Sequence, residues 1–507
     1  MKNIIKKFTS AALITSVIMG AGCAKIDQFG TTNQNPNGIT IPIPSALLTN
    51  VESQVGGFAA VLRTAVYAQY IAENQYTDVS LFALPLVEMS GTYSGPLQDL
   101  QTIINYNTDP KTAGAASADG SNANQIAIAR ILKAFIFWQT TDRWGDIPYS
   151  EALQGAANLT PKFDKQEDIY FDLLKQLKQA AASFDVGIPV KGDVIYGGNT
   201  DKWKKVANSI RMIMAMRLTE RYPAAGGKAA IEFADAAAGP HITDNADNFT
   251  LAYPGGAFKN PWFATYEARD DYASSKTMGD VLAGLGDTRS SAFGTNNIMF
   301  PVGLTRDLAI AYGNSVGNGQ SRVLRADLRA ANSPVVIIGA STVLLARSEG
   351  KERLWIAGGT AGAETDYNAG IMASFAQWGV AFPAGYLTGP ANYNTGVGVP
   401  GSIGAGTAPY DNFRAADNNL QDAATPTKLT RIALQRWIAG FPNGNEGWAE
   451  VRRTNVPNLK ATRFKAGPLV TRYVYGDTDY GLNNANTKAA AISIGGDKQD
   501  TKVWWDL

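Results

Sequence analysis

The chain has 507 residues, 45% hydrophobic and 18% charged, with 45 Lys+Arg against 44 Asp+Glu, one Cys and one His. That near-neutral balance leaves no basic face for nucleic acid, and one Cys beside one His excludes both an internal disulfide and a zinc site of the usual Cys/His ligands. Charge below the roughly 25% of an average soluble domain, with 51 Gly and 10 Trp, fits a compact extracytoplasmic protein.

Lys2, Lys6 and Lys7 open the chain, a mostly apolar stretch runs from Phe8 to Met19, and Gly20, Ala21 and Gly22 precede the single cysteine, Cys23. Charged, apolar and small-residue segments in that order form a secretory signal peptide. The apolar run is also shorter than the roughly 20 residues that span a bilayer. Residues 1–22 therefore predict export. Small residues followed by Cys resemble the lipobox of bacterial lipoproteins, in which the Cys is diacylated and becomes the first mature residue; Gly20 stands where an aliphatic residue is usual. The resemblance implies lipid attachment at Cys23, and several acyl chains at about 0.8 kcal/mol per buried CH₂ hold a protein firmly on a membrane. The alternative is a plain signal peptide cleaved nearby, leaving an incidental thiol. Residues 23–44 are polar, turn-rich and broken by Pro36, Pro42 and Pro44, and read as a flexible tether that joins the body near Ser45.

Helical periodicity then dominates. Ile128, Ile131, Leu132, Phe135 and Trp138 recur at three- and four-residue spacing and predict a helix over 124–139 with one buried stripe. Tyr170, Leu173, Leu174, Leu177, Ala181 and Phe184 predict another over 165–184, with Asp164 and Glu167 placed as N-cap and reciprocal partner. A third, over 203–221, is marked by Trp203, Val206, Ile210, Ile213, Met214 and Arg217 and stopped by Pro223. From 253 to 300 and again from 383 to 409, Gly, Pro, Asn and aromatics prevail, with helical pattern around 367–378 and 422–437. The expected organisation is all-α: a single helical domain over 45–507 carrying a loop-rich region at about 240–420. No 34-residue sequence repeat is legible, although helix pairs of this length build helical-hairpin repeats.

Catalytic constellations are sparse. A Ser-His-Asp triad would have to use His241, which lies in a polar segment without a nucleophile signature. "DNADN" (Asp244 to Asn248) has Ala246 at what should be a calcium ligand position and no following bidentate Glu, so it reads as an Asx-rich turn. The adjacent acids Asp270 and Asp271 read as a surface pair. No catalytic residue, metal or cofactor is expected.

Several blocks together resemble one family. "RILKAFIFWQTTDRWGDIPYSEAL" (Arg130 to Leu153), "PKFDKQEDIYFDLLKQLKQA" (Pro161 to Ala180), "DVIYGGNTDKWKKVANSIRMIMAMRL" (Asp193 to Leu218), "NPWF" with "RDDY" and "GLGDTR" (Asn260 to Arg289), "YNAGIMASFAQWG" (Tyr367 to Gly379), "VRRTNVPNL" (Val451 to Leu459) and "TKVWWDL" (Thr501 to Leu507) are similar to successive blocks of the SusD/RagB outer-membrane lipoproteins, in the same order. The resemblance implies a scaffold of tetratricopeptide-type helical hairpins with long loop-rich insertions. It also implies a cell-surface lipoprotein, anchored in the outer membrane and facing the exterior, that binds a glycan or peptide without altering it. Its implied partner is a SusC-like TonB-dependent transporter, over which it sits as a lid.

The blocks also have a physical reading. Gly145 and Pro148 make a helix-ending turn, and Trp144 and Tyr149 add apolar area with a polar tip. Arg452 and Arg453 are expected in an internal salt-bridge network with acids such as Glu450, and Trp504 and Trp505 packed against the body. Ligand binding calls for exposed aromatic platforms flanked by amides and charges. Two regions offer them: 74–95 with Tyr76, Phe82 and Tyr93, and 260–272 with Asn260, Trp262, Tyr266, Arg269 and Tyr272. The competing function classes are a surface hydrolase, disfavoured by the single His, and a helical-repeat scaffold or adhesin.

Overall fold

The computed structural model describes residues 41–83, 87–387, 428–459 and 469–507. The signal segment, Cys23 and most of the 23–44 tether lie outside the described residues, as does 422–427 of the expected 422–437 helix. One unit runs from Ile43 to Leu507. It begins with Pro44–Phe58 (α1), where Pro44 occupies the first turn and forfeits no intrahelical bond, and Leu48, Val51 and Val55 point inward. Leu62–Tyr67 (α2), the short strand Ile71–Glu73 (β1) and Gln98–Thr108 (α3) follow.

Asn122–Trp144 (α4) is the central helix. The Ser121 hydroxyl accepts from the Asn124 N–H (3.4 Å) at its start, and 18 of its 23 residues are buried. The expected single stripe is therefore only part of the buried surface: beyond Ala134 every side chain is enclosed, as in a helix surrounded by others. Gly145, at φ 82°, ends it in a conformation that side-chain-bearing residues avoid. The chain then forms the strand Ile147–Pro148 (β2), paired antiparallel with Phe163–Asp164 (β3).

Gln166–Ala182 (α5) follows without the expected cap. The Asp164 carboxylate accepts from the N–H groups of Tyr149 and Ser150 (3.2 and 2.7 Å), and Glu167 accepts from the Tyr222 hydroxyl (2.8 Å). The first free amide of α5, on Gln166, donates to Asp146 instead (2.9 Å). The β2–β3 turn thus captures the carboxylate that local sequence assigns to the helix. In Thr200–Arg217 (α6) the Asn199 side chain accepts from the Asp201 and Lys202 N–H groups (3.1 Å each). This helix stops at Arg217 rather than at Pro223, because the Leu218 N–H turns back to the Ala215 carbonyl (3.1 Å).

Lys228–Ala238 (α7), Phe249–Leu251 (β4), Tyr272–Ser274 (β5), Lys276–Leu285 (α8), Arg306–Ser315 (α9) and Val335–Ile338 (β6) lead into Ala340–Glu352 (α10) and Gly359–Gln377 (α11). These two helices lie inside the loop-rich region expected at about 240–420, the second over most of the helical pattern expected around 367–378, and they form a close pair. A Cβ at Gly370 would stand 2.8 Å from the Leu345 side chain, so glycine lets their backbones approach. Lys428–Gly440 (α12) and Gly444–Thr454 (α13) follow.

Neighbouring helices pack in succession: α1 on α3, α3 on α4, α4 on α5, α5 on α6 and α6 on α7; α10 meets α11 and α12, α12 meets α13, and α13 closes on α2. The architecture is an all-α scaffold of tetratricopeptide-type hairpins, with two-stranded sheets and a few isolated β-bridges among the described residues.

Candidate functional site

The two aromatic regions meet through the smallest of sheets. β1 and β5 pair antiparallel, Ile71 opposite Ser274, Ala72 opposite Ala273 and Glu73 opposite Tyr272. The Asn74 N–H extends the ladder by donating to the Asp271 carbonyl (3.0 Å). Ala72 and Ala273 are small enough to lie against Phe300, Val302 and Leu304, which fixes the hairpin to the body.

Just beyond the ladder, Tyr76 is 46% exposed. The guanidinium carbons of Arg269 and Arg306 lie 4.5 and 5.0 Å from its ring centroid, within cation–π range. Arg269 is held by Asp271 (Nε to Oδ2, 2.7 Å). Arg306, exposed in the first turn of α9, joins no ion pair with the described residues. The result is an aromatic surface with two cations, one of them free to meet a ligand.

Tyr266 supports this surface from below. Its hydroxyl donates to the Tyr272 carbonyl (3.1 Å) and accepts from the Val323 N–H (2.9 Å). Arg322 and Arg329 lie 5.3 and 5.2 Å from its ring centroid, and Arg322 pairs with Asp270 (2.8 Å). The adjacent acids Asp270 and Asp271 are thus each tied to an arginine. Burial raises the Glu73 carboxyl from 4.5 to about 7, although the Ser80 N–H donates to it (2.7 Å). Its charge therefore changes near neutral pH, one residue from the ladder's end.

Four of the expected residues are packed rather than displayed. Asn260 is 0% exposed and caps the short helix Pro261–Ala264, accepting from the Trp262 N–H (2.8 Å) and donating to the Ser333 carbonyl (3.0 Å). Trp262 is 1% exposed. Phe82 is buried edge-on to Tyr67, and Tyr93 donates to the Pro148 carbonyl (2.5 Å) with its ring against Phe137. Tyr76, Arg269 and Tyr272 remain together. Arg306 and Glu73 carried no signal in the sequence, since only the fold brings positions 73, 76, 269 and 306 to one place.

Arg453 sits in a buried network, bonded to Glu349 (2.7 and 2.8 Å) and Glu450 (2.6 Å). The two guanidinium bonds hold the Glu349 carboxyl well below its usual range against the opposing effect of burial. Arg452 instead lies over the rings of Trp448 and Trp505 (3.8 and 4.6 Å) and donates to the carbonyls of Asp142 and Thr471 (2.8 Å each). Neither arginine presents itself to a ligand. Trp505 is fully buried and Trp504 half-buried against Phe171 and Tyr222. In "DNADN" the Asp244 carboxylate accepts from the Ala246 N–H (2.8 Å), an Asx turn. No cluster of three metal-ligating side chains occurs among the described residues.

A model of the SusD-like_2 family, described as starch-binding and associating with the outer membrane, matches residues 36–476. The chain belongs to the SusD-like family. No curated protein matches the sequence. Solved SusD homologues share its fold. A chitin-binding SusD homologue from Flavobacterium johnsoniae has 24% identity, with 92% of this chain and 98% of that chain covered at a TM-score of 0.70. A SusD homologue from Bacteroides uniformis has 24% identity, 92% and 100% coverage and a TM-score of 0.69. One from Bacteroides fragilis has 22% identity, 92% and 99% coverage and a TM-score of 0.68. The SusD-like fold therefore spans nearly the whole chain.

Proposed function

We propose that this SusD-like protein captures a nutrient at the outer membrane, a glycan or a peptide, on the surface around Tyr76, Arg269, Arg306 and Tyr272. The observation that carries this reading is the family match over 36–476. The exposed Tyr76 ring with its two arginines adds a local platform, since an aromatic face stacks on the apolar face of a sugar while the cations bond its oxygens. The chitin-binding neighbour and the starch-binding family description make chitin and starch oligosaccharides the first ligands to test. The protein does no chemistry on the ligand. It is tethered through acylated Cys23 and the 23–44 segment, and delivers its cargo to a SusC-like TonB-dependent transporter as its lid.

Two experiments test the reading. Calorimetric titration with chitin, starch and peptide fragments is expected to find a ligand whose affinity falls at least tenfold, about 1.4 kcal/mol, in Tyr76→Ala. Unchanged affinity in that variant removes the ligand from this surface. Purification from membranes in mild detergent is expected to yield a chain beginning at acylated Cys23 together with a large β-barrel; a non-acylated chain alone would refute the lid.

A further inference from the structure

The Tyr76 surface is assembled from three separate pieces of chain. Tyr272 belongs to β5 and Arg269 to the residues just before it, Arg306 opens α9, and Tyr76 alone comes from the loop that follows β1. Whatever holds that loop decides whether the ring meets its arginines. From Thr77 to Ala83 the chain folds into a turn of its own: the Leu81 N–H donates to the Thr77 carbonyl (3.0 Å), Phe82 to Val79 (3.0 Å) and Ala83 to Asp78 (2.8 Å). Phe82, buried edge-on to Tyr67 of α2, pins the far end of this turn. The near end is tied by a side chain. Oε2 of Glu73, at the last position of β1, accepts from the Ser80 N–H seven residues on (2.7 Å). Gln75 and Tyr76 span the gap between strand and turn, and the N–H of neither donates to a described residue.

The tie lies in a dry place, with Glu73 5% and Ser80 1% exposed. An acid buried there costs stability whenever it ionises, and an apolar residue would fill the strand position without that cost. A leucine, however, has no atom to accept from Ser80, and would leave a buried N–H unpaired. The carboxyl offers a lone pair to that N–H whether or not it carries a proton. Arg269, Tyr272 and Arg306 stand on elements that the tie does not touch, so losing it would displace Tyr76 from them rather than dissolve the surface as a whole.

We infer that Glu73 is a positioning residue: its side chain clasps the loop to β1 and so keeps the Tyr76 ring against Arg269 and Arg306. The inference rests on the reading of the Tyr76 surface as the place of capture. Apparent affinity falls with the fraction of molecules in which the loop is in place. The first test needs no ligand. Hydrogen–deuterium exchange of the full chain is followed on peptides covering 74–83 in wild type, Glu73→Leu, Glu73→Ala and Glu73→Gln, with a melting curve for each. Exchange there is expected to be about tenfold faster in the leucine and alanine variants, unchanged elsewhere in the chain, and close to wild type in Glu73→Gln, whose amide oxygen can still accept. Exchange as slow as wild type in Glu73→Leu overturns the proposal, as does equal acceleration in all three variants. Glu73→Ala keeps the test open if Glu73→Leu fails to fold. In calorimetric titration with chitin and starch oligosaccharides, binding that Tyr76→Ala weakens should fall about fivefold in Glu73→Leu and recover in Glu73→Gln. Binding lost in Tyr76→Ala but kept in Glu73→Leu overturns the positioning role alone. Binding that Tyr76→Ala leaves intact removes the surface reading and this role with it. Because exchange is read without ligand, failure of the clasp and failure of the surface are told apart.

Discussion

Glu73→Gln is expected to stabilise the protein at alkaline pH and to do little in acid. The carboxyl titrates near 7 in the fold against 4.5 unperturbed, chiefly because burial disfavours its charge. At about 1.36 kcal/mol per unit, that gap is worth about 3 kcal/mol in full. The sign follows from linkage: the folded state holds the proton more tightly, so the wild-type carboxyl costs nothing below about pH 4.5, and stability declines as pH rises from there to about 7. Between about pH 5 and pH 8 the decline is about 2.5 kcal/mol. Glutamine cannot ionise, and its Oε1 can still accept from the Ser80 N–H. Urea titrations of wild type and Glu73→Gln at both pH values measure the effect, and every other titrating group cancels in the difference. The variant's relative stability should rise by about 2.5 kcal/mol from the lower to the higher pH. A difference that is the same at both values would refute the claim that Glu73 is buried enough to hold its proton.

Arg453→Met should destabilise the protein by about 3–5 kcal/mol, since it leaves Glu349 and Glu450 buried without their common partner; adding Glu349→Gln should recover part of the loss in the same denaturation assay. Gly444→Ala should lower stability by at least about 1–3 kcal/mol, because the new Cβ would stand 2.0 Å from the Ala65 nitrogen and force α13 off α2. Gly57→Ala, with nothing within 4 Å of its Cβ, is the control and should be neutral or stabilising by about 0.5–1 kcal/mol. A thermal melt in which the two glycine variants behave alike would remove the close-approach argument.

Helix positions were legible wherever one apolar stripe faced a core, as in α5, where Ile169, Tyr170, Leu173, Leu174 and Leu177 are buried. Periodicity failed where burial is all round. Thr140, Thr141 and Arg143 in α4 are enclosed with side-chain bonds to carbonyls four residues away, on Ile136, Gly145 and Gln139, whereas the Asp142 carboxylate accepts from Tyr170 and Trp505, which no local window contains. The helix α10 escaped notice because Arg347, Glu349, Lys351 and Glu352 read as surface residues, whereas Glu349 is 2% exposed and paired with Arg453. Cap assignment at Asp164 failed for a similar reason, a nearby turn offering better donors. The candidate surface was legible as two aromatic-rich regions. Their meeting was not, because three residue pairs of β1 and β5 join segments about 200 positions apart, and three pairs leave almost no alternation to read.

The indole N–H of Trp505 donates to the Asp142 carboxylate (2.8 Å), and the ring of Trp505 lies under Arg452 (4.6 Å). The central helix therefore keeps one buried acid incompletely satisfied until a residue 363 positions later is in place. During vectorial synthesis this helix leaves the ribosome long before its partner exists. Loop-closure entropy over a span of 363 positions makes this bond slow to form compared with any single hairpin.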